Sequence, residues 1–277
     1  MNKKIIKITK HGLMSELYKR DLYTTKEYDY LIAKRIIEYD IRSANVNLCR
    51  YYNLLDEDEL NKIENMQKHD RVVYIGCKMR DDKEFSKKLS KAFKYMRREF
   101  FIANGILDSD ILSIKKDAIF VINKRCRNTK FKNVEFVEKN IYSSYHKLNG
   151  LELYYSGKND ILDVKGIDDS SLYQHKKFIN VLKRMFKLLE LNKREEFIKF
   201  IKRFSEDYKN KRLAYEYYKE FKSDGCYTLI QNDDSKKIIY GLDNVDSTIN
   251  DILSINYNYI AYILPIIQRH YFKFNKK

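Results

Sequence analysis

The 277 residues carry 55 Lys and Arg against 39 Asp and Glu, a formal net charge of +16, and 44% of them are hydrophobic. That apolar share is too high for a disordered chain, and a single Pro with eight Gly excludes collagen-like and Pro-rich linker architectures. No apolar run approaches the ~18 residues that span a bilayer, and no long apolar stretch follows the basic N-terminus, so neither a membrane partner nor a secretory signal is expected.

Residues 4–9 are short, β-branched and alternating, and read as a strand. Residues 25–34 have helical or mixed character, and residues 35–41 (RIIEYDI) read as a strand that ends near an acid. Residues 56–66 open with DEDE, a run suited to the positive end of a helix dipole. Residues 81–104 form the longest helical pattern of the first half, with Phe85, Leu89, Phe93, Met96 and Phe100 on one side and Gly105 as the cap. Strands follow at 111–114 and 118–123, joined through Lys115-Lys116-Asp117, and then at 134–137, 142–148, 151–155 and 162–164. Asn149-Gly150 and Ser156-Gly157 supply turns between them. After Gly166 the pattern becomes helical over 172–191 and 194–222, with Phe178, Leu182, Met185, Phe186 and Leu189 as an apolar stripe. Lys176, Lys177, Lys183, Arg184 and Lys187 share the other face.

The charge excess has two readings. Neutralising phosphates releases condensed counterions, which makes nucleic acid the leading partner. An A+T-rich coding sequence would also enrich Lys, Asn, Ile and Tyr without any selection for binding. Four scattered Cys (Cys49, Cys77, Cys126, Cys226) lack paired zinc spacing and fit reduced thiols in a cytoplasm, which includes that of a host cell for a viral or phage protein. The five His are scattered, and the chain has no HExxH, phosphate loop, GxGxxG or GxSxG.

Two acids stand out. Asp40 ends an apolar strand, and Asp117 sits at the tip of the hairpin LSIKKDAIFVI. An Asp at either place is ordinarily a turn former. Brought side by side, two strand-borne carboxylates provide the hard oxygens that a phosphoryl-transfer site needs.

The order of features resembles the palm of template-dependent DNA polymerases, family B most closely. The first palm motif of that family is Asp-x-x-Ser-Leu-Tyr-Pro-Ser, and Asp40-Ile41-Arg42-Ser43-Ala44-Asn45 keeps the acid and the Ser. The third motif, Asp-Thr-Asp-Ser before an apolar strand, is similar to Lys115-Lys116-Asp117-Ala118 with the second acid kept. The fingers motif Lys-x-x-x-Asn-Ser-x-Tyr-Gly is matched here to Arg97–Gly105, which keeps a cation and the Gly. A Lys-Lys-x-Tyr element resembles Lys139-Asn140-Ile141-Tyr142, and a Lys-Gly pair resembles Lys165-Gly166. The likeness covers residues 35–167.

It implies an α+β fold: a polymerase-like palm with an antiparallel sheet, a short helical fingers insertion and a helical thumb-like C-terminal lobe. The expected segments are palm at 1–55 and 108–167, fingers at 56–107 and thumb at 168–277. The implied activity is nucleotidyl transfer onto a nucleic-acid 3′ end, with Asp40 and Asp117 holding two Mg²⁺ ions for which Mn²⁺ can substitute. Arg97, with Lys94 or Arg98, would neutralise the nucleoside triphosphate, near Ser43 and Asn45. Lys139, Tyr142 and Lys165 would grip the primer–template, with Lys176, Lys177, Lys183 and Arg184 adding phosphate contacts. Only 39 residues precede Asp40, too few for the exonuclease domain usual in that family, so proofreading is expected to be absent or to belong to a separate exonuclease or replication chain. The chain also departs from the pattern: Lys115 replaces the first acid of the third motif and Asn45 replaces an aromatic. A non-catalytic, polymerase-derived nucleic-acid-binding or replication-accessory protein is the alternative.

Overall fold

The computed structural model describes residues 15–148, 151–166, 176–210 and 212–213, with short stretches at 220–221, 227–230, 237–240, 247–248, 266 and 269–270. The strand expected at 4–9 and the turn at Asn149-Gly150 lie outside them. In chain order the elements are β1 (Leu22–Thr24), β2 (Tyr30–Leu31), β3 (Ile36–Ile41), α1 (Ala44–Tyr51), α2 (Glu57–Glu64), α3 (Lys68–Asp81) and α4 (Lys83–Asn104). Then come β4 (Ile111–Lys115), β5 (Ala118–Ile122), β6 (Lys130–Phe131), β7 (Val134–Tyr142), β8 (Ser144–Lys147), β9 (Glu152–Ser156) and β10 (Ile161–Lys165). The rest are α5 (Lys176–Glu190), α6 (Arg194–Lys209), β11 (Glu220–Phe221), β12 (Tyr227–Ile230), β13 (Lys237–Tyr240) and β14 (Ser247–Thr248). The fold is α+β. No described helix is long and apolar enough to cross a membrane.

The chain divides into two compact units, and the boundary after the sheet of the first falls between Tyr142 and Ser143 rather than at 167. The first unit is a six-stranded antiparallel sheet, ordered β1-β4-β5-β3-β7-β6, with helices α1 to α4. The long helix α4 starts where Asp82 accepts a hydrogen bond from Phe85 N–H at 2.9 Å, and ends at Gly105 in the left-handed conformation (φ 57°). Its stripe of Phe85, Leu89, Phe93, Met96 and Phe100 packs in one core with Ile37, Tyr39 and Ile41 of β3 and Ile119 and Val121 of β5. Alternation along a strand therefore sends Glu38 and Asp40 to the opposite face of the sheet.

The second unit holds the antiparallel sheet β10-β9-β8-β2, helices α5 and α6, and a further antiparallel sheet, β11-β12-β13-β14. Leu182, Met185 and Phe186 of α5 and Phe197 and Ile201 of α6 form its core with Leu153 and Tyr155 of β9. His146 and His270 meet through their Nε2 atoms at 2.7 Å inside this unit. The C-terminal lobe is thus not the purely helical body expected: the helix expected to run to 222 ends at Lys209, and four strands follow it. Short β-branched and aromatic runs such as YTLI and KIIY suit strands, and they lie beyond the last amphipathic stripe.

Candidate functional site

The first unit brings the two acids together. Asp40, near the end of β3, lies directly across the β3/β5 ladder from Ala118, the residue after Asp117. Partners in such a ladder have Cα atoms roughly 4.5–5.5 Å apart, so Asp40 on β3 and Asp117 in the turn that leads into β5 stand at one end of the sheet. Both line a single cavity of about 470 Å³. Burial, and then the negative charge of Asp40, raise the Asp117 pKa above the ordinary carboxylate value.

The hairpin tip that carries Asp117 is held from both sides. Lys116 adopts a positive φ of 56°, a conformation that costs a residue with a Cβ about 1 kcal/mol. Its N–H donates to the Asp21 carbonyl at 2.7 Å, and its own carbonyl accepts from Arg97 Nη2 at 2.5 Å. The Arg97 Nη1 donates to the carbonyls of Tyr18 (2.8 Å) and Arg20. Arg97 is 1% exposed, and burial pushes its pKa down to about 10 against the opposing pull of Asp21 and Asp117. Its guanidinium is spent on backbone carbonyls beneath the sheet end, so it is a buried structural cation and not the free triphosphate ligand expected. Lys94 pairs with Asp21 at 3.2 Å and Arg98 with Glu99 at 3.5 Å, and neither lines the cavity.

Lys139 is in the cavity wall. The β3/β7 register shifts between Glu38 and Tyr39: Glu38 pairs with Asn140, Tyr39 with Glu138, and Lys139 is the extra residue of the bulge. Bulges re-aim side chains. Here the Lys139 ammonium lies 3.0 Å from Asp40 Oδ2 and 3.8 Å from Glu38 Oε1. Burial works against its charge, but the hydrogen bond to Asp40 and the charges of Asp40, Glu38 and Asp117 outweigh it and raise its pKa. Glu38 is 1% exposed and accepts from Tyr142 Oη at 2.8 Å and from Asn140 Nδ2 at 2.9 Å. Tyr142 is therefore an interior partner of Glu38 and not a surface grip on a primer.

Helix α3 contributes Lys68, Arg71 and Val72 to the lining of the same cavity. Among the described residues neither cation makes a side-chain hydrogen bond or ion pair, while Val72 is 57% exposed. Ser43 and Asn45 complete the wall at the start of α1. Ser43 takes a positive φ of 45° and makes no side-chain cap, and the buried Asn45 Oδ1 has no hydrogen-bond partner. Lys115 points elsewhere, its ammonium donating to Thr24 Oγ1 at 3.3 Å.

Lys68, Arg71 and Glu38 were not among the residues expected from sequence. A signal for the first existed: Lys68 precedes Gly76 by the spacing of Lys and Gly in the fingers motif, which Arg97–Gly105 shares. Of the other expected contacts, Lys165 closes β10 in the second unit. Lys183 pairs with Asp160 at 3.4 Å, and the Arg184 guanidinium stacks 5.2 Å from the Phe200 ring centre. Lys176 and Lys177 open α5, and their side chains lie outside the described set.

The donor set suits a hard cation. Magnesium takes one or two carboxylates and fills its remaining positions with water and substrate phosphates. Asp40 and Asp117 offer that chemistry. Among the described residues no group of three or more His, Cys, Asp or Glu stands ready to enclose a metal, so an ion held by Asp40 and Asp117 would take water or substrate oxygens at its other positions.

A comparison with protein families finds one described as Bacteriophage PBS1 gene 130 protein, whose model matches residues 13–271. No curated protein matches the chain.

Proposed function

We propose that this chain, which belongs to the Bacteriophage PBS1 gene 130 protein family, adds nucleotides to the 3′ end of a nucleic-acid primer under the direction of a template. The observation that most supports this reading is one cavity bounded by two carboxylates, Asp40 at the end of β3 and Asp117 in the β4–β5 turn, and by two helix cations, Lys68 and Arg71, that have no side-chain partner among the described residues. Acids and cations lining one cavity suit a metal-bound triphosphate, with the α-phosphate at the carboxylates and the tail at the cations. Magnesium, or manganese in its place, held by Asp40 and Asp117 would polarise the α-phosphate and lower the pKa of the attacking 3′-hydroxyl.

The chain's own residues do the rest. Lys68 and Arg71 neutralise the β- and γ-phosphates, and Arg71 can engage two oxygens at once. They stabilise the pyrophosphate as the α-phosphorus bond to the primer oxygen forms and the bond to the leaving group breaks. The exposed Val72 gives the base an apolar wall. Asn45 lines the cavity and is smaller than the aromatic of the palm motif, which leaves room for a 2′-hydroxyl, so ribonucleotides belong among the substrates tested. A phage enzyme of this kind would work in the host cytoplasm, where triphosphates are supplied.

The test is extension of a labelled primer on a template with Mg²⁺ and each deoxy- and ribonucleoside triphosphate in turn. Stepwise additions that follow the template are expected. Replacing both Lys68 and Arg71 by Ala should raise KM for the nucleotide by about 100-fold, on the scale of two charge-assisted contacts. If no nucleotide is incorporated while primer–template still binds, the catalytic reading gives way to a non-catalytic binding role in replication.

A further inference from the structure

We propose that the Lys139 ammonium is the resident cation of the acid site, standing in place of one of the two divalent ions that a two-metal site would hold, so that Asp40 and Asp117 admit a single divalent ion. This rests on the nucleotidyl-transfer reading and specifies its metal requirement.

Three observations carry it. The first is the β-bulge, which inserts Lys139 as an unmatched residue of β7 opposite the Glu38/Tyr39 step. A regular ladder would have no extra residue there; the bulge sets this one beside the acids. The second is the contact geometry. The ammonium is hydrogen-bonded to Asp40 at 3.0 Å and lies 3.8 Å from the buried Glu38, so it already engages one of the two carboxylates that would hold a metal ion. The third is charge. Glu38, Asp40 and Asp117 can carry three negative charges, Lys139 cancels one, and the remainder matches one divalent ion. Glu38 is already satisfied by Tyr142 and Asn140, which leaves it a field source for Lys139 rather than an open metal ligand. A second divalent ion would have to sit beside a fixed ammonium, and like charges at a few ångströms repel strongly in a half-buried site.

The test counts Mn²⁺ ions bound to the full chain, with Mn²⁺ alone as the probe, by electron paramagnetic resonance. Wild type is expected to bind one ion that Asp117→Asn loses. Lys139→Met should bind a second ion at the acids, or the first at least tenfold more tightly, and Lys139→Arg should restore the wild-type count and affinity. Lys139 is half-exposed, so neither replacement empties the core. Two Mn²⁺ ions in wild type, unchanged in Lys139→Met, would overturn the resident-cation role and leave the metal reading of Asp40 and Asp117 standing. Absence of any Asp117-dependent ion in all three proteins would overturn both.

Discussion

Asp117→Asn is expected to lower Mg²⁺-dependent primer extension by roughly 10³-fold or more and, at neutral pH, to raise the melting temperature. The first effect follows from removing one of two carboxylate charges that face the cavity. Metal-assisted charge stabilisation is worth several kcal/mol, and each 1.36 kcal/mol is tenfold in rate. Asn keeps the size of Asp, so loss of activity reports on charge. The second effect follows from linkage. The folded state raises the Asp117 pKa, through burial and then through Asp40. Between the ordinary carboxylate value and the raised one, the folded chain holds more protons than the unfolded chain. Stability therefore falls as pH rises through that window and stays lower above it. Asn has no charge to bury, so the variant should melt higher than wild type at pH 7. That gain should vanish on acidification below the ordinary carboxylate range. Asp40→Asn should lose activity alike. An Asp117→Asn protein that is inactive and melts lower would point to a damaged hairpin instead.

The second large effect is structural. Arg97→Met should destabilise the first unit by about 3–5 kcal/mol, because three backbone carbonyls lose the donor that a buried guanidinium supplies, while the apolar stem is kept. That is a large share of the ~5–15 kcal/mol by which most domains are stable. Arg97→Lys should fall between, since an ammonium cannot reproduce the flat fork that reaches Tyr18, Arg20 and Lys116 together. Urea unfolding of the three proteins measures this. A loss under ~1 kcal/mol would mean that water can take over those carbonyls. The same variant should also slow extension, since the Lys116 carbonyl holds the turn in which Asp117 sits.

Either acid alone reads as a turn former, and it was the order of the motifs around Asp40 and Asp117 that singled the pair out in the sequence. That β3 pairs with the hairpin strand β5 is a long-range contact that the local pattern does not contain, and only the palm resemblance pointed to it. Helix α4 was legible by itself: its stripe repeats at helical spacing between a capping Asp and a Gly. What failed was the assignment of cations. Sequence counts charges but does not say which are buried, and Arg97, the most deeply buried, occupied the place of a motif cation. Helix α3 escaped notice because only Ile75 among its residues is buried and Gly76 interrupts it. A helix that faces a cavity carries no core stripe, so periodicity passes over the helix that bears Lys68 and Arg71. The bulge at Lys139 was equally hidden, since alternation along β7 gives no sign of an added residue. Tyr142 looked like a surface contact in a motif. Its hydroxyl is in fact the partner of Glu38, a carboxylate that nothing in an apolar strand marks as retained for charge.

The most direct measurement is a crystal structure with primer–template, a non-hydrolysable nucleoside triphosphate and Mn²⁺, read by the anomalous signal of the metal. A manganese peak against the Asp40 and Asp117 carboxylates, with the triphosphate tail on Lys68 and Arg71, is the predicted result. A nucleotide bound away from this cavity, or an ordered triphosphate with no metal at the two acids, would contradict nucleotidyl transfer at this site.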